Sequence, residues 1–552
     1  MNRALGLLLG TALLATQALP LSGEEARRYL IAPRERPAAA ARLRGVLRER
    51  LRAFPTVNAY AADLTAEEAA ALQADGDLIV EPVVPRHAMV EDGQSCLSCV
   101  SGQAGSPVLH ATVPEQIPWG VVNVRAPQVW PATRGENVNV AVIDTGIDVL
   151  HPDLASAYRG GYNTFDPGAL PIDGHRHGTH VAGTIAAAQN GFGVVGIAPG
   201  VRLWAVKALD DDGDGSSENV VAAFEWVLAK ARAEGGRWVI NTSLGSATAS
   251  VVEERVIREA IEAGIVVVAS VGNTGTAGVS FPANYLGVIG VGAITQSGVR
   301  ANFSSYGRGV MLMAPGAGVR STYIHGYDES LDFEFSDGTR IPSWIVRGAP
   351  YKKVTGKLVD CGLGEPAEFP ASVRGEIALV RRGKLFFYEM ARNAKAAGAI
   401  ALIIETYEDD QSGAHNWSFY PTPAGDPAWE GFAFPLAVGV KFTVGEELLQ
   451  RPGLYTIEFS TDIYGDMNGT SMSAPHVTGA AALLLSLAPD LSPAWVAAIL
   501  RYTARDLYTA GWDLESGWGA LDALKAAQWV APEKFGVPDP PPPPTPRRRS
   551  VR

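Results

Sequence analysis

The sequence is short of cysteine. Three occur in 552 residues, Cys96, Cys99 and Cys361. An odd, low count builds no disulfide framework. "CLSC" has C-x-x-C spacing, yet no second pair completes a four-ligand zinc site, and its surroundings are Gly/Ser-rich. A local disulfide or unused thiols is the reading for that pair. Long apolar runs are scarce too. "ALGLLLGTALLATQA" follows Arg3 and is short for a bilayer span. A positive start, an apolar run and small residues ahead of Leu19-Pro20 predict a signal peptide, hence a secreted protein without a membrane anchor. Basic charge is in deficit: 46 Lys and Arg face 58 Asp and Glu, a formal net charge of −12. Nucleic-acid binding needs basic patches and is a poor fit.

What is present is globular, with 47% apolar and 19% charged residues. The length exceeds one ordinary core, so about two to four domains are expected. After residues 1–20, the segment 21–90 alternates strand and helix in a β-α-β-β-α-β pattern, its second helix opening on Thr65 with Glu68 three residues later. Residues 91–114 are a Gly/Ser-rich linker. From 115 to 325, continuous apolar runs such as "NVAVIDTG", "RLWAVKAL", "WVINTSLG" and "IVVVASVGN" alternate with amphipathic helical stretches. Buried parallel strands in an α/β doubly wound sheet read this way. Residues 326–461 change character and form a separate β-rich insert. Residues 462–530 return to the main domain, with "APHVTGAAALLLSLAP" as its last helix. Residues 531–552 are a Pro/Arg-rich tail expected to be extended.

Polar residues stand where an α/β core does not need them. "AVIDTGID" puts Asp144 at the carboxyl end of an apolar strand, where open α/β sheets bind ligands. "GHRHGTHVAGT" puts His177 near the start of a helix, and "NGTSMSAPHV" does the same for Ser471. A serine hydroxyl needs a base to take its proton, histidine titrates in the right range, and a buried aspartate fixes the imidazole tautomer. Pro475 is expected in the first helical turn, where a missing N–H does no harm. His175, His177 and His180 space as H-x-H-x-x-H, but no H-E-x-x-H occurs, and His180 is expected to be structural. "DDDGDGSSENVV" starts like a calcium loop but has Val221 in place of the twelfth-position Glu, which leaves an acidic loop beside a cleft.

"VIDTGIDVLHPDL", "HGTHVAGT", "NTSLGS", "VASVGNTG", "FSSYG" and "NGTSMSAPHVTGAAALL" together resemble the motifs of the subtilisin-like serine proteases, the subtilases. The resemblance implies a secreted serine endopeptidase that acts through an acyl-enzyme, with Asp144, His177 and Ser471 as triad and Asn273 as oxyanion donor. It implies that Ser243, Leu244 and Gly245, with Ser270 and Gly272, edge the substrate cleft, the S1 floor lying near Ser280. No cofactor is required for the chemistry. A structural calcium is a candidate, with Asp153, Asn190 and Glu115 as ligands. Residues 21–90 resemble the subtilase propeptide, an intramolecular inhibitor and folding aid cut off between about Met89 and Ala111. "VRGEIALVRRGKLFFYEMARNAKAAGAIALIIE" resembles a protease-associated (PA) domain. The expected partners are protein or peptide substrates, for a monomer. A second reading is a catalytically silent binding or adhesion protein on the same fold, using the insert.

Overall fold

A computed structural model describes residues 26–34, 52–74, 76–90, 114–324, 354–405, 435–440, 444–451, 453–457 and 463–538, with backbone alone for 331–335 and 340–345. The signal-peptide run, the first helix expected in segment 21–90, "CLSC" and the proline-rich end of the tail lie outside the described residues.

The N-terminal unit is a four-stranded antiparallel sheet of order β2-β3-β1-β4. Its strands are β1 (Arg27–Pro33), β2 (Arg52–Phe54), β3 (Ala59–Leu64) and β4 (Leu78–Pro82). Helix α1 (Ala66–Gln73) starts on the expected box. The Glu68 N–H donates to Thr65 Oγ1 at 3.2 Å, and the Thr65 N–H to Glu68 Oε2 at 2.8 Å. A further strand, β5 (Pro85–Ala88), leaves this sheet and enters the main domain.

The main sheet has seven strands, all parallel, in the order β14-β13-β12-β10-β6-β8-β7. They are β6 (Val138–Asp144), β7 (Tyr158–Asn163), β8 (Arg202–Lys207), β10 (Arg237–Thr242), β12 (Val266–Ser270), β13 (Ile289–Ile294) and β14 (Leu312–Pro315). Alternation divides each strand between two cores. Val140, Val142, Val239, Val266 and Val268 face one core, which Val181 and Ile185 of α2 (His177–Ala186) complete. Ala141, Ile143, Ile240, Val267 and Ala269 face the other. There they meet Val220 and Phe224 of α3 (Ser217–Glu234) and Val252 and Val256 of α4 (Val251–Glu262). Helices on both faces satisfy a sheet whose strands are apolar on both sides.

The N-terminal sheet packs outside α3 and α4. Leu30, Phe54 and Ala61 join the second core directly. Glu81 takes three donors at the start of α4: the Val251 and Val252 N–H groups, each at 3.0 Å, and the Ser250 hydroxyl at 2.7 Å. These N–H groups have no partner within the helix, and a carboxylate suits that positive end.

The insert leaves and returns through two paired strands. β15 (Val319–Thr322) runs antiparallel to β24 (Tyr464–Met467). The described part of the insert is an eight-stranded sheet of order β18-β23-β16-β17-β22-β21-β20-β19, in which β16 is Leu331–Phe335, β17 Arg340–Ile345, β18 Val354–Gly356 and β23 Tyr455–Ile457. Four of its neighbours run parallel, namely β19 (Leu358–Asp360), β20 (Ile377–Arg381), β21 (Ala401–Glu405) and β22 (Leu436–Val440). Helix α5 (Phe387–Ala397) covers one face, with Met390, Ala391 and Ala394 packed on Val380, Leu402 and Ile404. Past the insert, α6 (Thr470–Leu487) lies on the face of α2 and buries Val477 and Leu484 in the first core. It is not the domain's last helix, since α7 (Pro493–Thr503) and α8 (Ala523–Val530) follow it. Pro475 also falls deeper than expected, at the sixth helical position rather than in the first turn.

Among the described residues four histidines are wholly buried, His177 and three whose pKa values are strongly lowered. His151 and His180 have their pKa pushed down to about 3, and His476 to about 4, by loss of water. Each stays neutral in the fold but takes a proton near 6.5 when unfolded. The unfolded chain therefore binds more protons between those values, so stability is complete above about pH 6.5 and drains away as pH falls toward 3. The expected outcome is a melting temperature that declines below pH 6.5, with a shallower slope in His180→Gln. Equal slopes for the two proteins would refute the assignment to His180.

Candidate active site

Asp144 ends β6, beside β10 and β8 at the centre of the sheet, and is fully buried. Its Oδ1 accepts from the Thr145 N–H at 2.8 Å and lies 2.6 Å from His177 Nδ1. His177 is the first residue of α2 and is also fully buried. Its Nε2 has no hydrogen-bond partner. No local spacing in the sequence marks what holds this helix start. The residue before His177, Arg176, has φ +85° and caps nothing with its side chain. Asp173 does so instead. Its Oδ1 accepts from the His175 and Arg176 N–H groups and the Thr145 hydroxyl, and its Oδ2 from the N–H and hydroxyl of Thr179. Thr145 Oγ1 in turn accepts from the Gly178 N–H at 2.9 Å.

Ser471 is the second residue of α6, after Gly469 as N-cap at φ +150°. Its hydroxyl donates to the Ser243 carbonyl at 2.9 Å rather than to His177. The Ser243 hydroxyl answers by donating to the Ser471 carbonyl at 2.9 Å. That carbonyl would bond the N–H four residues on, which Pro475 lacks. The exchange is backed by Asn241, whose Nδ2 donates to Ser243 Oγ and whose Oδ1 accepts from the Thr478 hydroxyl. "INTSLG" contained this asparagine, but its role appears only when α6 lies across β10.

Asn273 is oriented by Thr470. Its Oδ1 accepts from the Thr470 N–H and hydroxyl, both at 2.9 Å. Its Nδ2 is buried with no partner. Near it lies the carbonyl oxygen of Met89, which accepts from the Ser471 N–H at 3.3 Å. A side chain at Gly469 would begin 2.5 Å from that oxygen and 3.3 Å from Asn273 Nδ2, so only glycine leaves room for it.

Met89 arrives on β5. That strand is the centre of a three-stranded sheet between β9 (Asp214–Ser216) and β11 (Leu244–Gly245). Leu244 pairs with Ala88 and Gly245 with His87, while the Met89 N–H donates to the Ser243 carbonyl at 3.2 Å. The Met89 side chain reaches Gly245, where an added Cβ would sit 2.9 Å from its Cε. The acidic loop at Asp210 supplies β9, the opposite wall, and Asp214 Oδ1 lies 2.6 Å from His87 Nδ1. Gly272 stands at φ +107°, where an added Cβ would lie 2.6 Å from Ser280 Oγ, and Ser270 ends β12 with its buried hydroxyl unpartnered.

Two other expectations concern metals. His180 Nε2 faces the Val319 and Gly465 carbonyls while His177 turns to Asp144, so the two rings serve different partners. Glu115, Asp153 and Asn190 do meet on one loop. Glu115 Oε1 accepts from the Gly191 N–H at 2.6 Å, and Asp153 Oδ1 from Asn190 Nδ2 at 2.9 Å. Asp153 Oδ2 accepts from the Val194 N–H and the Tyr464 hydroxyl. Burial, and to a lesser degree Glu115, raise the Asp153 pKa. Among the described residues no three of His, Cys, Asp and Glu form a metal cluster.

A buried carboxylate, an imidazole and a hydroxyl at the carboxyl ends of a parallel sheet define a class of α/β protein built for nucleophilic chemistry. The profile of the subtilase family matches residues 135–339 and 441–519, about half of the chain, and that of the PA domain matches 354–448. Subtilisin BL of Lederbergia lenta is 44% identical over 237 residues, which is 43% of this chain and 83% of that protein. The alkaline protease of Alkalihalobacillus alcalophilus is 42% identical over 240 residues, 43% of this chain and 60% of the relative. Subtilisin E of Bacillus subtilis (strain 168) is 43% identical over 218 residues, 38% and 55% respectively. The chain thus spans less than two thirds of the length of the latter two. It belongs to the subtilase family and carries a PA domain as an insert. Among solved structures, the psychrophilic subtilisin-like protease Apa1 from the Antarctic psychrotroph Pseudoalteromonas sp. AS-11 matches with a TM-score of 0.49 and 28% identity, over 77% of this chain and 100% of that one.

Asp173 gives this site its simplest test. Asp173→Ala strips the acceptor from several donors at the start of α2, and buried donors left unpaired are costly. The expected loss is about 2–4 kcal/mol in denaturant unfolding. A loss below about 0.5 kcal/mol would mean that water replaces the carboxylate at no cost.

Proposed function

We infer that this chain is a secreted serine endopeptidase made as a zymogen, and that its first substrate is its own Met89–Val90 bond. One observation carries this reading: the Met89 carbonyl oxygen lies against the Ser471 N–H and beside the unpartnered Asn273 amide, while its strand runs hydrogen-bonded along Leu244–Gly245. Residues 21–90 are then the inhibitory propeptide. Residues 115–325 and 462–530 form the catalytic domain around the insert at 326–461. Export rests on the N-terminal sequence alone.

The chemistry follows from the geometry. The hydroxyl of Ser471 leaves the Ser243 carbonyl for His177 Nε2, which has no competing partner. Nε2 takes the proton as Oγ attacks the peptide carbonyl carbon. The oxygen gains a negative charge and meets two donors already in place, the Ser471 N–H at the positive start of α6 and Asn273 Nδ2. Asp144 keeps the imidazole's Nδ1–H in position and stabilises the imidazolium. Collapse breaks the C–N bond, and Nε2–H protonates the leaving amine. Water then attacks the acyl ester, giving its proton to Nε2, and Ser471 is restored. Ser243, Leu244, Gly245, Ser270 and Gly272 line the path of the substrate, which adds as a strand.

Glu115, Asp153 and Asn190 supply oxygens suited to calcium, and a cation there would offset two crowded carboxylates. Its role is structural. Chelation with EGTA is expected to lower the melting temperature by several degrees, and added calcium to restore it. An unchanged melting curve on chelation would rule the site out.

Wild-type protein should mature to a form beginning at Val90 and react with a fluorophosphonate, whereas Ser471→Ala should stay uncut and unlabelled. N-terminal sequencing and gel fluorescence read both. A correctly folded wild type that neither cuts nor labels would favour a silent binding protein instead.

A further inference from the structure

The strand ahead of Met89 carries an unusual residue for a buried position. Arg86, three residues before Met89, is 0% exposed. Arginine is almost never fully buried unless paired. Its Nε and Nη2 both donate to Glu253 Oε2, at 3.1 and 2.7 Å, and its Nη1 donates to Ser246 Oγ at 2.7 Å and to the Pro85 carbonyl at 2.9 Å. Glu253 is likewise 0% exposed, and its Oε1 has no partner. It sits in the first turn of α4, where its own N–H donates to the Ser250 hydroxyl.

The other ion pairs between the N-terminal unit and the main domain are exposed in part, including that of His87, on the same strand as Arg86, with Asp214, where both side chains are more than half exposed. Arg28 reaches Glu218 from β1, outside the cleft, and remains part exposed. Arg86 lies instead on the strand that occupies the cleft, paired with Gly215 on one side while its neighbour His87 pairs with Gly245 on the other. Any extended peptide held in this register puts its own fourth residue, counted back from the attacked carbonyl, into the same space. When the N-terminal unit departs, Arg86 goes with it. Glu253 and Ser246 belong to the main domain and stay. With Arg86 in place burial outweighs even its pull, lifting the Glu253 carboxyl to about 7, and when Arg86 leaves, the slot it filled is lined by that carboxylate and the Ser246 hydroxyl. An incoming cation of the right shape fills that slot.

We propose that Glu253 and Ser246 form a guanidinium pocket, and that the processed enzyme selects peptide substrates with arginine three residues before the residue whose carbonyl is attacked. This rests on the reading of Ser471 as nucleophile and Met89 as the residue attacked. Two donors on one carboxylate oxygen and a third on a hydroxyl match the planar fork of arginine. The single ammonium of lysine does not reproduce that set. A hydrophobic side chain in the same place leaves the carboxylate buried and unpaired, which is how a polar site rejects a poor substrate.

The test uses the processed enzyme and a set of peptides of form Xaa-His-Ala-Met-p-nitroanilide, with Xaa as Arg, Lys, Ala or Glu. The Arg peptide is expected to exceed the Ala peptide in kcat/KM on the order of 10²-fold, with Lys between them and Glu lowest. In Glu253→Gln the Arg-to-Ala ratio should fall to within several-fold of one. Because the ratio is taken within one protein, a general loss of folded enzyme does not disturb it, and the wild-type series stands even if the variant does not fold. Equal rates for Arg and Ala peptides in an enzyme that labels with fluorophosphonate would overturn the pocket and leave the nucleophile intact. Failure to turn over any peptide, together with failure to label, would overturn the reading of the site and the pocket with it.

Discussion

The first turn of α6 is held from outside the helix, and the site depends on that. Pro475 leaves the Ser471 carbonyl without its helical partner, and the Ser243 hydroxyl supplies one. Thr470, one residue earlier, is tied to Asn273 by both its N–H and its hydroxyl. Two residues at a helix start are therefore clamped to the ends of two neighbouring strands, β10 and β12. Groups that would fray in an ordinary helix terminus become fixed donors. The room left by Gly469 is useful only because those donors do not move.

Charge is handled by the same economy of partners. Asp144 is buried with His177 and Asp173 with the donors of α2, and the partly exposed Glu81 meets those of α4. In each case a carboxylate leaves water only where N–H or imidazole groups already wait for it, as the cost of burying an unpaired charge requires. Glu253 follows the rule through Arg86, which donates to it twice.

Much of this was legible in the sequence. Asp144, His177, Ser471 and Asn273 stand in motifs whose order is specific, and the structure brings them to one end of one sheet. Four of the seven main strands read directly from apolar runs. β7 did not, because "YRGGYN" is a half-covered edge strand with no apolar run. β13 and β14, "IGVGAI" and "LMAP", are short and interrupted by small residues or ended by proline. Asp173 and Asn241 were invisible for a different reason. Each acts on a segment far off in the chain or on a backbone turn, and no local spacing records that. Pro475 lies deeper in the helix than its motif suggests because the helix begins at Thr470, with Gly469 as its cap, rather than at Ala474.

The pairing of β15 with β24 has a topological meaning. The insert hangs on a two-stranded ribbon whose ends lie side by side, from Val319↔Met467 to Thr322↔Tyr464. A hairpin turn of a few residues could join these two strands without disturbing the main sheet. The returning strand of that attachment stops at Met467, immediately before the residues that cap α6. The ribbon therefore carries the chain out of the insert straight into the start of α6, so the insert and the Ser471 helix are neighbours along the chain as well as in the fold.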